Sequence, residues 1–381
     1  MVFSTHGVRQ NSLIMHPGIC PRNPAIQPQQ VSVMPQPASL SKLLFLLIVL
    51  FPLVPAHAER GPVVPDYPAE QVVEGVYVIH GPLGVPSVEN QGFMNNPAFI
   101  IGRDGVVVID PGSSVQTGEM VLRQLRAITD LPVVAVFNTH IHGDHWLANQ
   151  AIHEAFPEAP IFGHEIMHQQ VAAGEGRAFL ATLMRMTDGA VTGTEEVPPD
   201  HKTGHADQLT FAGITLRIHF QPQAHSRSDI MIELPQKKLM FLGDNAMSKR
   251  LGQMDSATFK GNITALDMAL QTDAEIFVPG HGRTGGREVA EIYRGYLSGL
   301  KQQVAHYFEA GLSDFEMKQP VIDAMGPYRE WVDFERNVGR HISLAYLEVE
   351  ADKRVFDLMK DFGTSKSTKI DSIFDSLLVP R

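Results

Sequence analysis

The segment from Thr139 to Trp146 reads Thr-His-Ile-His-Gly-Asp-His-Trp and follows the β-branched run Val133 to Phe137. It places His140, His142, Asp144 and His145 within six residues. Neutral imidazole and carboxylate are preferred ligands of Zn²⁺ and of non-haem iron. Adjacent Asp144 and His145 cannot face the same way as the alternating pair His140 and His142, so the spacing predicts two ions, one for each subset. Four ligand-type residues packed this tightly at the end of an apolar strand point to a metal site and away from a merely solvated His-rich loop.

Around this segment, strand-like and helix-like runs alternate. Val73 to Ile79, Ala98 to Ile101 and Val106 to Ile109 read as strands, with Arg103-Asp104-Gly105 as a hairpin turn. Gly118 to Thr129 reads as an amphipathic helix, Val133 to Phe137 as a buried strand and Trp146 to Phe156 as a helix. Further strands are predicted at Leu209 to Phe211, Ile214 to Phe220, Ile230 to Leu234, Lys238 to Leu242 and Glu275 to Val278. Helices are predicted at Ile263 to Gln271, from Arg287 to Ala310 with Gly311 ending it, and across 330–360. The alternation predicts an α/β fold.

The N-terminus has a different character. Residues 1–58 contain Arg9, Arg22 and Lys42 but no acidic side chain, and Lys42 precedes the apolar run Leu43 to Pro55 and then Ala56-His57-Ala58. This is the order of a secretory signal, with cleavage expected after Ala58. The run is short for a bilayer span and no stop-transfer segment follows, so no stable membrane insertion is expected after cleavage. Translation starting at Met34 or Met15 would give a signal of more ordinary length. The expected location is periplasmic or secreted.

Cys20 is the chain's single cysteine and lies before the cleavage point, so neither disulfide nor thiolate ligand is expected. The formal charge is −11 for the whole chain. The basic residues of 1–58 make the remainder more acidic still, which disfavours nucleic acid and anionic membrane as partners. A small-molecule substrate is the expected partner.

Three more loops after strands carry ligand-type residues. His225 lies in Gln223-Ala-His-Ser-Arg-Ser-Asp229, Asp244 in Phe241-Leu-Gly-Asp-Asn245, and His281 in Val278-Pro-Gly-His-Gly282. An unpaired carboxylate at the end of a buried strand is costly, which marks Asp244. His153, His164, His168, His201, His205, His219, His306 and His341 lack such a context, His164 being the least easily dismissed.

With THIHGDH, AHSRSD, FLGDN and VPGHG in that order, and Val107-Val-Ile-Asp-Pro-Gly112 before them, residues 73–290 resemble the metallo-β-lactamase-fold hydrolases, in particular their glyoxalase II-like branch. The resemblance implies a four-layer αββα sandwich with a C-terminal helical extension. The domains expected are a removed N-terminal part at 1–58, a catalytic domain at 59–290, helices at 291–362 and a flexible tail at 363–381. It also implies that His140, His142 and His225 hold one metal, that Asp144, His145 and His281 hold the other, and that Asp244 bridges both. Asp110 would orient a ligand from behind.

Within the family, β-lactamases resemble one another in having Cys or Ser at the position of Asp244, whereas glyoxalase II-like enzymes, lactonases and other esterase-like members have Asp. His142 stands where the flavodiiron branch has Glu. The expected activity is therefore that of an exported dinuclear zinc hydrolase, in which a metal-bound hydroxide attacks a thioester, lactone or other ester, with Asp144 also handling a proton. The alternatives are a mono-iron persulfide dioxygenase and a β-lactamase; iron or a mixed-metal site suits the same ligands. Export fits poorly with a cytosolic glutathione thioester, and in overall character the chain resembles periplasmic members associated with sulfur oxidation or quinoprotein pathways.

Lys249-Arg250 reads more readily as a solvated basic pair than as a substrate contact. Gly92-Phe-Met-Asn-Asn96 reads as a structural loop sooner than a lid. The C-terminal helices are expected either to cover the active-site groove or to form a homodimer.

Overall fold

The structure, a computed structural model, describes residues 59–362 apart from Asp255. The expected signal sequence and the expected tail lie outside the described residues. Among these residues the strands form two sheets. The first contains β1 (Ala69–Val73), β2 (Val76–Ile79), β3 (Ala98–Ile101), β4 (Val106–Ile109), β5 (Val133–Phe137), β6 (Ile161–His164) and β7 (His201–Thr203), in that spatial order. The second contains β8 (Gln208–Phe211), β9 (Ile214–Phe220), β10 (Ile230–Leu234), β11 (Leu239–Met247) and β12 (Ile276–His281), ordered β12-β11-β10-β9-β8.

Strand alternation explains the layers. In β4, Val107 and Ile109 face Ile218, Ile232 and Phe241 of the other sheet, in one apolar cluster between the sheets. Val106 and Val108 face the opposite way, into a cluster with α1 (Val115–Arg126) and α3 (Asn149–Ala155). Such a strand is buried on both faces, so it reads as a continuous apolar run. The outer face of the second sheet, through Met231, Met240, Leu242 and Phe277, packs on α6 (Phe259–Leu270), α7 (Glu288–Glu309), α8 (Asp314–Ala324) and α9 (Phe334–Phe362). Helix, sheet, sheet and helix therefore follow one another, as the motifs imply. The C-terminal helices share a core with the second sheet, and α7 begins two residues before the 290 boundary expected from sequence.

Several element expectations need correction. The run 73–79 is two strands, because Glu74 and Gly75 make a tight turn with Gly75 at φ +78° and Val73 pairs with Val76. Helix α1 starts three residues before Gly118, where the Ser114 hydroxyl accepts from the Thr117 N–H and caps the helix. The helix expected at 146–156 is split into α2 (Gly143–Trp146) and α3, so Asp144 and His145 sit on a turn of helix while His140 and His142 precede it. Two helices had no sequence expectation, α4 (Glu165–Ala172) and α5 (Glu175–Met186). Both lie between β6 and β7 of the first sheet, and α5 lines the cleft. Among the described residues no helix is long and apolar enough to cross a membrane.

Candidate metal centre

The two sheets meet at one rim, where the Ile230 N–H donates to the Thr139 carbonyl and the Asn96 N–H to that of Gly280, each at 2.9 Å. β5 ends there and delivers Thr139 and His140. The backbone bends at His140 and Ile141, is extended at His142 and then turns into α2, whose first residues carry Asp144 and His145. The Trp146 indole N–H donates to the Ile141 carbonyl at 2.7 Å and pins this reversal.

Asp244 and His281 lie inside strands, not in loops after them as the sequence suggested. β11 runs on to Met247 through irregular pairing with β12 on either side of Gly243, which is at φ +52°. Such a bulge re-aims a side chain toward a rim. β12 approaches so closely that a Cβ at Gly280 would stand 1.9 Å from Asp244 Oδ1, so only glycine leaves room for this carboxylate.

The structure brings seven sequence-marked residues together in two groups. His140, His142, His225 and Asp244 form one, and Asp144, His145 and His281 the other. In the first, His142 Nδ1 lies 3.0 Å from His140 Nε2 and 3.1 Å from His225 Nε2, and Asp244 Oδ2 lies 3.4 Å from His225 Nε2. In the second, His281 Nε2 lies 3.2 Å from Asp144 Oδ2, and His145 Nε2 lies 3.5 Å from it. Asp244 reaches this group too, with Oδ1 3.1 Å from His145 Nε2 and Oδ2 3.3 Å from His281 Nε2.

The atoms behind these rings decide which nitrogens are free. His145 Nδ1 donates to Asp110 Oδ2 at 2.8 Å, and His281 Nδ1 to the Met94 carbonyl at 2.8 Å. Thr139 gives its hydroxyl proton to Asp110 Oδ2 at 2.7 Å, so its oxygen accepts from His140 Nδ1 at 3.0 Å. Asp110 Oδ1 also accepts the Thr139 backbone N–H. Each of these rings therefore spends Nδ1 on the protein and turns Nε2 inward, the nitrogen that a metal would take. Asp110 thus orients one ring of each group, and Met94, from the loop read as structural, positions a third through its backbone.

Electrostatics agrees with a cation-binding set. Burial pushes His140 well below the usual imidazole range, helped by His145 and His142, and pushes His225 down to about 3. Burial opposes ionisation of Asp144, but His145 and His281 outweigh it and hold it at about 2. Burial likewise opposes ionised Asp244, which His281 and His145 keep well below the carboxylate range. His145 is raised well above its usual value because Asp244, Asp144 and Asp110 overcome its burial. Asp229, whose Oδ2 accepts the Ser226 N–H, is pushed by burial up to about 7.

The residues fit divalent ions. His145 Nε2 and Asp244 Oδ1 are buried without a hydrogen-bond partner, a costly arrangement unless something binds them. A four-coordinate first-row ion with bonds of about 2.0–2.1 Å needs ligand atoms about 3.3 Å apart, close to the separations within each group.

A cleft of about 250 Å³ opens over these ligands. Phe179, Thr182, Leu183 and Met186 of α5 form one part of its lining, with the Phe179 ring 6.1 Å from that of His142. Arg250, Gln253, Arg336 and Asn337 form another. None of the α5 residues was marked in the sequence; the apolar face of that helix was the available signal. Arg250 was expected in solvent and is buried, whereas Lys249 is exposed. His164 lies outside the site, where it caps α4 and stacks on Phe220.

A four-layer sandwich holding two His/Asp clusters at the joint rim of its sheets is a metallohydrolase scaffold. The chain belongs to the metallo-beta-lactamase superfamily, whose family model matches residues 91–281. A linear primary-alkylsulfatase from Pseudomonas sp. (strain ATCC 19151) is 22% identical over 291 residues, covering 64% of this chain and 54% of that protein. A hydroxyacylglutathione hydrolase from Gloeothece citriformis (strain PCC 7424) is 33% identical over 156 residues, covering 41% of this chain and 51% of that one. The chain thus spans about half the length of these curated relatives. Among solved structures, the stereoselective inverting sec-alkylsulfatase Pisa1 from Pseudomonas sp. superposes with a TM-score of 0.57 at 17% identity, covering 74% of this chain and 50% of that one. That likeness shows the fold.

Proposed function

We propose that the chain is an exported dinuclear zinc hydrolase acting on a thioester, lactone or other ester-type bond. The observation that carries this reading is the Asp244 carboxylate, which lies 3.1 Å from His145 of one ligand group and 3.4 Å from His225 of the other. One side chain shared between two ligand sets is the arrangement a two-metal centre needs.

Two bound zinc ions would bring the pKa of a bound water to about 7 and polarise the bond under attack. The chain's own residues supply the rest. Asp110, Thr139 and the Met94 carbonyl fix the ring orientations of His145, His140 and His281, so little reorganisation is needed at the moment of reaction. Asp144 stays ionised despite burial, so its carboxylate can take the proton from the attacking water. Phe179, Leu183 and Met186 present an apolar wall that excludes solvent from the reacting bond. The cleft lining holds no thiol and its Thr182 hydroxyl donates to the Ala178 carbonyl, so water is the attacking group in this reading.

Metal analysis of the purified protein, followed by a panel of thioester, lactone, sulfate-ester and β-lactam substrates, tests the proposal. The expected result is close to two zinc ions per chain and turnover of an ester-type substrate. A single iron with O₂ uptake on a persulfide would overturn it. The export component rests on Lys42 and the apolar run after it. N-terminal sequencing of protein from the periplasmic fraction should begin at Glu59; a full-length cytoplasmic protein would contradict that component.

A further inference from the structure

His281 stands between two glycines in Pro279-Gly280-His281-Gly282, and Gly282 lies at φ +85°. Glycine restrains the backbone least of all residues, so a ligand flanked by two of them needs its position fixed from outside. Four successive carbonyls run through this segment, and each is taken. That of His281 accepts the Ser248 N–H at 2.9 Å. The other three go to one residue. Asn96 gives its backbone N–H to Gly280 at 2.9 Å, and its Nδ2 to Pro279 at 2.8 Å and to Gly282 at 2.7 Å.

Asn96 is buried, and its Oδ1 has no hydrogen-bond partner among the described residues. An amide acceptor left unsatisfied out of water is costly, and here that cost accompanies the two bonds the amide donates. Aspartate, of the same shape, would set a carboxylate oxygen against two carbonyls. The Met94 carbonyl, two residues earlier, receives Nδ1 of the His281 ring, so one short segment holds both the ring and the backbone of this ligand.

Asn96 leads into β3 of the first sheet, whereas His281 closes β12 of the second. The second ligand group is drawn from both sheets, since Asp144 and His145 follow β5. Its internal distances, such as the 3.2 Å from His281 Nε2 to Asp144 Oδ2, therefore depend on how the sheets are joined at this point. The first group has a junction of its own, the Ile230 N–H on the Thr139 carbonyl.

We propose that Asn96 is the positioning residue of the second ligand group. It holds the backbone of His281 where Nε2 meets Asp144 and Asp244, so that its loss weakens the binding of one metal ion and spares the other. This inference rests on the two-metal reading above, and its test separates the two.

The full chain, stripped of metal, is titrated with cobalt(II) against a chromogenic chelator, alongside its N96A, N96D, H281A and V304A variants. Two equivalents are expected in the wild type. In N96A one of them, the one that H281A abolishes, should bind about tenfold to a hundredfold more weakly, and the other should be unchanged. N96D keeps the shape and loses the donor; it should behave alike, and it decides the matter if N96A does not fold. V304A removes part of the buried helical core and should lower the unfolding temperature with both equivalents intact, which tells a general loss of stability apart. Weakening of both equivalents alike, or of neither, overturns the inference.

The metal-free proteins give a readout that needs no bound ion. The His281 Nδ1 proton, held by the Met94 carbonyl, should give a downfield imidazole N–H resonance, assigned by its absence in H281A. Loss or exchange broadening of that resonance in N96A and N96D supports the inference even where the wild type takes up fewer than two ions, a result that would remove only the two-metal reading. A resonance unaltered in both variants overturns the inference.

Discussion

Nδ1 of His145 lies 2.8 Å from Oδ2 of Asp110, a residue 35 positions earlier and on a different strand end. Through Thr139, the same carboxylate also fixes His140, so a single side chain orients a ring in each ligand group. Asp110 itself sits at φ +47°, a conformation that Asp and Asn tolerate better than most residues.

That backbone makes Asp110→Asn an informative change, since it removes the charge and leaves the turn. Metal affinity should fall about 10–100-fold, as it does when such orienting partners are lost. Competition with a chromogenic chelator measures it; unaltered affinity would show that the carboxylate does not orient the ligands.

Asp244→Ala should leave the protein with fewer than two bound ions and without measurable turnover, because both groups lose a shared ligand. Elemental analysis after dialysis distinguishes this from a fold defect, provided far-ultraviolet circular dichroism is retained. Two tightly held ions in the variant would refute the bridging role.

Gly280→Ala tests the same carboxylate from outside. The added Cβ would meet Asp244 Oδ1 at 1.9 Å and the Gly243 carbonyl carbon at 2.9 Å. Backbone cannot yield as a side chain can, so Asp244 must move and metal stoichiometry should drop as in Asp244→Ala. Normal metal content would show that the two strands separate easily.

His341 supplies a pH dependence remote from the metal ligands. It is buried, receives the Tyr296 hydroxyl proton at Nδ1 and donates from Nε2 to the Gly252 carbonyl, both at 2.9 Å. Burial pushes it from 6.5 down to about 4. A depressed histidine stabilises the fold fully above the unfolded value, and this contribution is lost as pH falls from about 6.5 toward 4. The loss amounts to about 3 kcal/mol by linkage. Urea unfolding of the metal-free wild type at pH 7.5 and 4.5 should show a larger difference than His341→Gln, and equal differences would count against it.

Phe179→Ala should raise KM for substrates with an apolar part more than it lowers kcat, since the ring lines the cleft beside His142. Steady-state kinetics on short- and long-chain esters measures this, and an equal effect on both chain lengths would remove the apolar wall from substrate binding.

Much of the fold was legible in local pattern. Strands such as Val106–Ile109 and Ile230–Leu234 appear where the apolar runs place them, since burial on both faces leaves a continuous signature. Elements whose boundaries depend on capping or on a bulge were less visible. Ser114 begins α1 before the apolar period starts, and Gly243 lets β11 run past its apolar stretch.

The sequence by itself determined which residue types could bind a metal and in what order along the chain, because ligand chemistry belongs to the side chain. Tertiary structure alone decided that Asp244 reaches both groups, that Asp110 stands behind two rings, and that Arg250 is buried at the cleft instead of solvated. Those relations depend on the rim where two sheets meet and on where α9 packs, contacts between residues far apart in the chain that no local spacing records.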